Sequence, residues 1–194
     1  MQKLTPEHIL DFDTYSAKRA DMRAEMIQLK AKRRLFVGPY ATFHFESFKT
    51  LWYQIQEMLH IEKGGAEQLE DELEAYAPLV PNGQELVSTL MFEIEDKHKR
   101  EAVLGQLGGV EHKVFIKIGD DKIYSIPEQD VERSIEGGRT SSVHFLHFPF
   151  SKAQIEAFKK ADTEIILGFD HPHYAHMTVL SEDNLQTLRT DFED

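Results

Sequence analysis

The sequence predicts an α+β fold, a mainly antiparallel sheet packed against helices, on three observations. Apolar residues recur at helical spacing in the first third of the chain, then alternate with polar ones from Leu86 onward, and Gly/Asp turns join neighbouring runs without a regular strand–helix repeat. A length of 194 residues with 41% hydrophobic content suits a single domain spanning residues 1–194.

From Thr14 to Leu35 there is no Gly or Pro, and Tyr15, Met22, Met26 and Leu29 fall on one stripe, so an amphipathic N-terminal helix is predicted, ended by Gly38-Pro39. Thr42-Phe43-His44-Phe45-Glu46 alternates, placing the two Phe on one face and His44 with Glu46 on the other. Leu51, Trp52, Ile55, Met58 and Leu59 mark a second helix stopped at Gly64-Gly65, and Leu69, Leu73 and Tyr76 a third stopped at Pro78; together they predict a helical hairpin.

After the Pro81-Asn82-Gly83 turn, Leu86, Ser88, Leu90, Phe92 and Ile94 share one face of a strand. A short helix follows from about Lys97 to Leu107. Val114, Ile116 and Ile118 lead through Gly119-Asp120-Asp121 into Ile123, which reads as a hairpin. Two more strands are predicted, at 142–148 and 164–169. Ser151 with Gln154 caps a helix carrying Ile155 and Phe158, and Ser181 caps one carrying Leu185, Leu188 and Phe192. Spacing places Trp52, Phe92 and Phe145 in the core.

The formal charge is −12, and it is unevenly spread: the first 40 residues carry eight basic and five acidic side chains, the remainder fourteen and twenty-nine. An acidic body is a poor match to a phosphate backbone, which argues against general nucleic-acid binding. The absence of cysteine excludes disulfides, thiolate nucleophiles and clusters held by the chain's own sulfurs. No apolar run is long enough for a membrane span, and the first residues lack a signal-peptide core, so a soluble, cytoplasmic protein is expected.

Ten histidines raise the question of a metal site. His144 and His147 are an odd number apart on one strand and point to opposite faces, so they cannot share an ion. The densest group is Asp170-His171-Pro172-His173-Tyr174-Ala175-His176, in which His171 and His173 project to one side in extended backbone; a third ligand from His44, Glu46 or His144 would complete an open site for Fe, Mn or Zn. A solvated histidine-rich turn explains the same residues. The first helix presents Arg19, Arg23, Lys30 and Arg34 in a narrow arc, suited to an acidic partner or anion, or to the chain's own acids. The loop 137–142 offers backbone N–H groups, hydroxyls and Arg139 to an anion, without P-loop spacing.

Several stretches taken together resemble a known family. They are Lys32-Arg33-Arg34 before Gly38-Pro39, Phe45-Glu46, the run from Tyr53 to Met58, Glu72-Leu73 with Tyr76, Pro78-Leu79, Thr89-Leu90-Met91 with Glu93, Ser141-Ser142-Val143-His144, and Asp170-His171-Pro172 with Tyr174. In order and spacing they are similar to a bacterial domain of unknown function, number thirty-five-oh-one, over nearly the whole chain.

That resemblance implies a gene neighbourhood with a rubrerythrin-like di-iron protein and an iron–sulfur protein, hence redox or oxidative-stress metabolism. It picks out Glu46, Gln54, Glu57, His144, Asp170, His171 and Tyr174, leaves His44, His173 and His176 unsupported, and implies arginine where His147 stands. Two expectations follow. The first is an accessory protein without electron carriers of its own, docking to such a redox partner through Arg19, Arg23, Lys30 and Arg34. The alternative is a mononuclear metal enzyme with His144, His171 and Glu46 as ligands, Glu57 as base and Asp170 fixing an imidazole tautomer.

Overall fold

The computed structural model describes residues 3–129, 132–135, 137–160 and 162–192. Its elements run α1 (Phe12–Lys32), β1 (Arg34–Val37), β2 (Ala41–Phe45), α2 (Phe48–Glu62), α3 (Gly65–Tyr76), β3 (Glu85–Phe92), α4 (Lys97–Leu104), β4 (Val114–Ile118), β5 (Asp121–Tyr124), β6 (Ile126–Pro127), β7 (Val143–Pro149), α5 (Lys152–Lys159), β8 (Ile165–Phe169), β9 (Met177–Val179) and α6 (Glu182–Leu188). The strands form two antiparallel sheets, one ordered β1-β2-β3-β7-β6 and the other β5-β4-β8-β9. The predicted α+β class and the N-terminal helix are both present.

The register fixes which side chains share a face. His44 lies opposite Thr89, and Thr89 opposite Phe145; Phe43 lies opposite Leu90, and Leu90 opposite His144. Because side chains alternate along a strand, Phe43, Leu90, His144 and Leu146 line one face of the five-stranded sheet, and His44, Thr89, Phe145 and His147 the other. The first face packs on Val114, Ile116, Ile165 and Leu167 of the second sheet in a continuous buried core. The second face is covered by α1, α2 and the segment after α3, where Leu51, Leu79 and Val87 form a smaller cluster with Tyr76 and Phe145 against it.

Local signals explain most boundaries. Asp11, Ser47, Asp96, Ser151 and Ser181 each accept a backbone N–H at the start of a helix. The helix predicted to reach Leu35 stops at Lys32, and residues 34–37 form β1, whose burial alternates exposed and buried. Gly38, at φ +67°, then turns the chain into β2; a Cβ there would lie 2.6 Å from the His176 ring. The Tyr174 hydroxyl accepts from the N–H groups of Tyr40 and Ala41 at 2.9 and 3.0 Å and donates to the Val37 carbonyl at 2.8 Å, pinning that turn to the loop after β8. Phe92 is core as predicted, whereas Trp52 and Phe145 are half-buried. Among the described residues no helix is long and apolar enough to cross a membrane.

Candidate functional site

The sheet geometry separates the residues expected to bind a metal. Glu46 follows β2 on the helix-covered side, where its carboxylate accepts from Thr50 Oγ1 at 2.7 Å and Thr89 Oγ1 at 2.8 Å. His144 is fully buried on the opposite face, against Phe92. Its Nε2 lies 3.0 Å from the Ser141 carbonyl, which only accepts, so Nε2 carries the proton. Burial lowers the His144 pKa, keeping the ring neutral, and Nδ1 has no hydrogen-bond partner among the described residues. His171 is already engaged: Nδ1 accepts from His173 N at 3.3 Å, and the side chain hydrogen-bonds the Gly108 backbone. Burial lowers its pKa as well. Glu46, His144 and His171 therefore do not converge, and among the described residues no three His, Asp or Glu side chains are grouped to hold a metal ion.

Glu57 is equally far from the role of a base. Both its oxygens are held by Arg19, Nε to Oε1 and Nη2 to Oε2, each at 2.8 Å, and the Tyr15 hydroxyl donates to Oε1 at 2.6 Å. The Arg19 bonds, opposed by partial burial, bring its pKa down to about 2, so it is a fixed anion rather than a proton acceptor near neutrality. Asp170 binds Lys122 and Tyr124 instead of an imidazole. The Glu57 pair also withdraws Arg19 from the expected docking row.

The other three cations of that row meet at a cleft. Two adjoining cavities of about 390 and 310 Å³ lie on the helix-covered side of the five-stranded sheet and share Lys30 and His44 as a common wall. The smaller is lined by Arg23, Lys30 and Arg34. Among the described residues none of these three has a carboxylate within ion-pair distance, although the chain carries 34 acids. Lys30 Nζ sits 5.6 Å from the Tyr53 ring centre and Arg34 5.3 Å from that of Phe36.

The larger cavity has apolar walls from Leu51, Leu79, Met91 and Phe145 and an acidic edge from Glu46 and Glu93. Glu93 accepts a short bond from the Thr42 hydroxyl, and Gln54 bonds Tyr76, whose hydroxyl burial pushes up. His44 stands between the two regions: burial lowers its pKa, Glu46 and Glu93 oppose that, and Arg34 and Lys30 reinforce it. Its Nε2 is buried and has no hydrogen-bond partner among the described residues. The floor is braced by Arg33, 2% exposed, which donates to the carbonyls of Phe45 and Glu46 and forms a short ion pair with Asp191.

The sequence puts Lys30 with Arg34 in one arc and His44 with Glu46 on one face but does not bring the two pairs together, since the register that sets Thr89 between β2 and β7 is not written in any one segment. Arg33 with Asp191, 158 residues apart, and Thr42 with Glu93 left no local signal. The loop 137–142 is tied to its flanks: Thr140 Oγ1 contacts Ser134 Oγ at 2.9 Å and His144 Nε2 at 3.0 Å.

Fold and site define a two-sheet α+β protein with a polar-ended, apolar-walled cleft under a helical cover. The chain belongs to the family described as protein of unknown function (DUF3501), whose model matches residues 3–192. It is similar to a novel protein of unknown function from Burkholderia pseudomallei K96243, solved at 1.90 Å, with 35% identity, a TM-score of 0.90, and coverage of 99% of this chain and 100% of that one. No curated protein matches it. Much of the resemblance motif lies at the cleft: Glu46, Gln54, Tyr76, Leu79, Thr89, Met91, Glu93 and Val143 all line the larger cavity.

Proposed function

We propose that this protein binds a small organic anion in the cleft between α1, α2 and the five-stranded sheet, as an accessory protein rather than as a metal enzyme. One observation carries the reading: Arg23, Lys30 and Arg34 line one cavity with no carboxylate partner among the described residues, in a strongly acidic chain. Surface cations in such a chain ordinarily find acids, and a concave cationic wall raises the local concentration of an anion. Leu51, Leu79 and Phe145 supply an apolar wall for the remainder of the ligand, the common composition of a small-molecule site.

The test is a thermal-shift and calorimetric titration with caproate, benzoate and phenyl phosphate, on wild type and on Lys30→Glu and Arg34→Glu. Saturable stabilisation that both variants lose supports the reading. Absence of stabilisation by any anion, or an equal response in the variants, overturns it.

A second reading is favoured by exposed apolar residues beside the same cations. Ile27, one turn after Arg23 on α1, is 62% exposed, and Phe36, two residues after Arg34 on the edge strand β1, is 60% exposed. This patch suits an acidic partner, and the rubrerythrin-like or iron–sulfur protein implied by the family resemblance is the partner we propose for it. Salt-sensitive capture that Phe36→Ser and Arg23→Glu abolish supports it; capture unchanged by either counts against it.

A further inference from the structure

The charges around the cleft are not of one sign, and their layout specifies the ligand further. Arg23 and Arg34 line only the smaller cavity, Glu46 and Glu93 with the apolar wall only the larger, and Lys30 and His44 line both. Both acids are held in place by hydroxyls, Glu46 by Thr50 and Thr89, Glu93 by Thr42, and neither is ion-paired among the described residues. A cleft that only gathered anions would repel them at this edge, because a like charge facing a ligand penalises binding as effectively as a matched one favours it.

From this juxtaposition we infer that the cleft selects a zwitterion: a molecule with a carboxylate or phosphate toward Arg23, Lys30 and Arg34, a protonated amine toward Glu46 and Glu93, and an apolar middle passing His44. The inference rests on the anion-binding reading and sharpens it. His44 suits the middle position because its ring is the wall common to both cavities. A neutral imidazole there adds no charge to either end. Glu46 lies directly after β2 and beside the buried Arg33, whose Nη2 binds the Glu46 carbonyl at 3.0 Å, so the backbone that carries the acidic end is rigidly seated.

A matched set of six-carbon probes separates the terms: caproate, ε-aminocaproate, adipate and hexamethylenediamine, titrated by calorimetry at low salt. The cleft should bind ε-aminocaproate about fivefold more tightly than caproate, a difference of about 1 kcal/mol, with adipate weaker than caproate. Glu93→Gln should shrink the advantage of the amino acid over caproate, and Glu46→Gln should do the same. Because Glu46 also orders Thr50 and Thr89, Glu93→Gln is the cleaner variant should Glu46→Gln unfold.

If caproate or adipate binds as tightly as ε-aminocaproate, or if the advantage survives both variants, the zwitterion inference is overturned while anion binding stands. If only hexamethylenediamine binds, the inference falls together with the anion reading. If none of the four binds, the zwitterion inference is overturned, and the response to benzoate and phenyl phosphate decides the anion-binding reading.

Discussion

Arg19 and Glu57 close on each other across the α1–α2 interface, two parallel N–H···O bonds of 2.8 Å with the Tyr15 hydroxyl as a third donor. Side-chain exposure is 34% for Arg19 and 17% for Glu57, so the acid is the more enclosed partner. The pair fastens the N-terminal helix to α2, one wall of the cleft, and leaves neither group for proton transfer or docking.

Glu57→Gln should therefore cost stability and spare ligand binding. A loss of about 1–2 kcal/mol is expected at neutral pH, allowing for the partly open guanidinium. The wild-type carboxylate has a folded pKa of about 2, below its ordinary 4.5, so its contribution is present above 4.5 and is lost as pH falls through about 2. Urea melts of both proteins should converge in acid; a constant difference at all pH values contradicts the account.

Burial pushes Asp191 up to about 6, against the pull of Arg33. A raised folded pKa means that ionising Asp191 erodes stability between its ordinary 3.8 and about 6. The pair is nevertheless costly to break, because Arg33 at 2% exposure would be left as an uncompensated buried charge. Asp191→Ala should cost about 3–5 kcal/mol, and the double variant Arg33→Met/Asp191→Leu should recover much of it. Chemical denaturation of the three proteins measures both numbers.

His147 bridges two carboxylates, Nδ1 to Glu85 at 3.0 Å and Nε2 to Glu128 at 2.8 Å, tying the residue after β6 to β3 and β7. Burial disfavours the imidazolium, but these two bonds outweigh it and raise the pKa. The clamp's contribution is full below the unfolded value of 6.5 and disappears as pH rises through the higher folded value. His147→Leu should lose most stability near pH 6 and least in alkali, a comparison that thermal melts across pH make directly.

Tyr174→Phe removes three hydrogen bonds at once and strands the N–H groups of Tyr40 and Ala41. A cost of about 2–4 kcal/mol is expected, together with faster amide exchange in the β1–β2 turn. Unchanged exchange at Tyr40 and Ala41 would show that the turn does not depend on the hydroxyl.

Much of the fold was legible because period and punctuation agree locally: Ser151 and Ser181 cap real helices, and the alternation around Phe43 and around Phe145 marks real strands. Residues 34–37 were misread because Arg34-Leu35-Phe36-Val37 continues a Gly-free helical run, and only pairing with β2 makes it a strand. The site was harder. His44 and Glu46 were placed on one face from sequence, but the expected metal set failed on strand register, which puts His144 behind the sheet from Glu46. Side-chain parity within a strand is visible in sequence; parity between strands is not.

The most direct test of the account is the ¹⁵N resonance of the His44 ring during titration with ε-aminocaproate. The account predicts a saturable shift at His44, lost in Arg34→Glu, with His144 and His171 unmoved. Shifts confined to His144 or His171, or a His44 ring indifferent to every probe that binds, would contradict it.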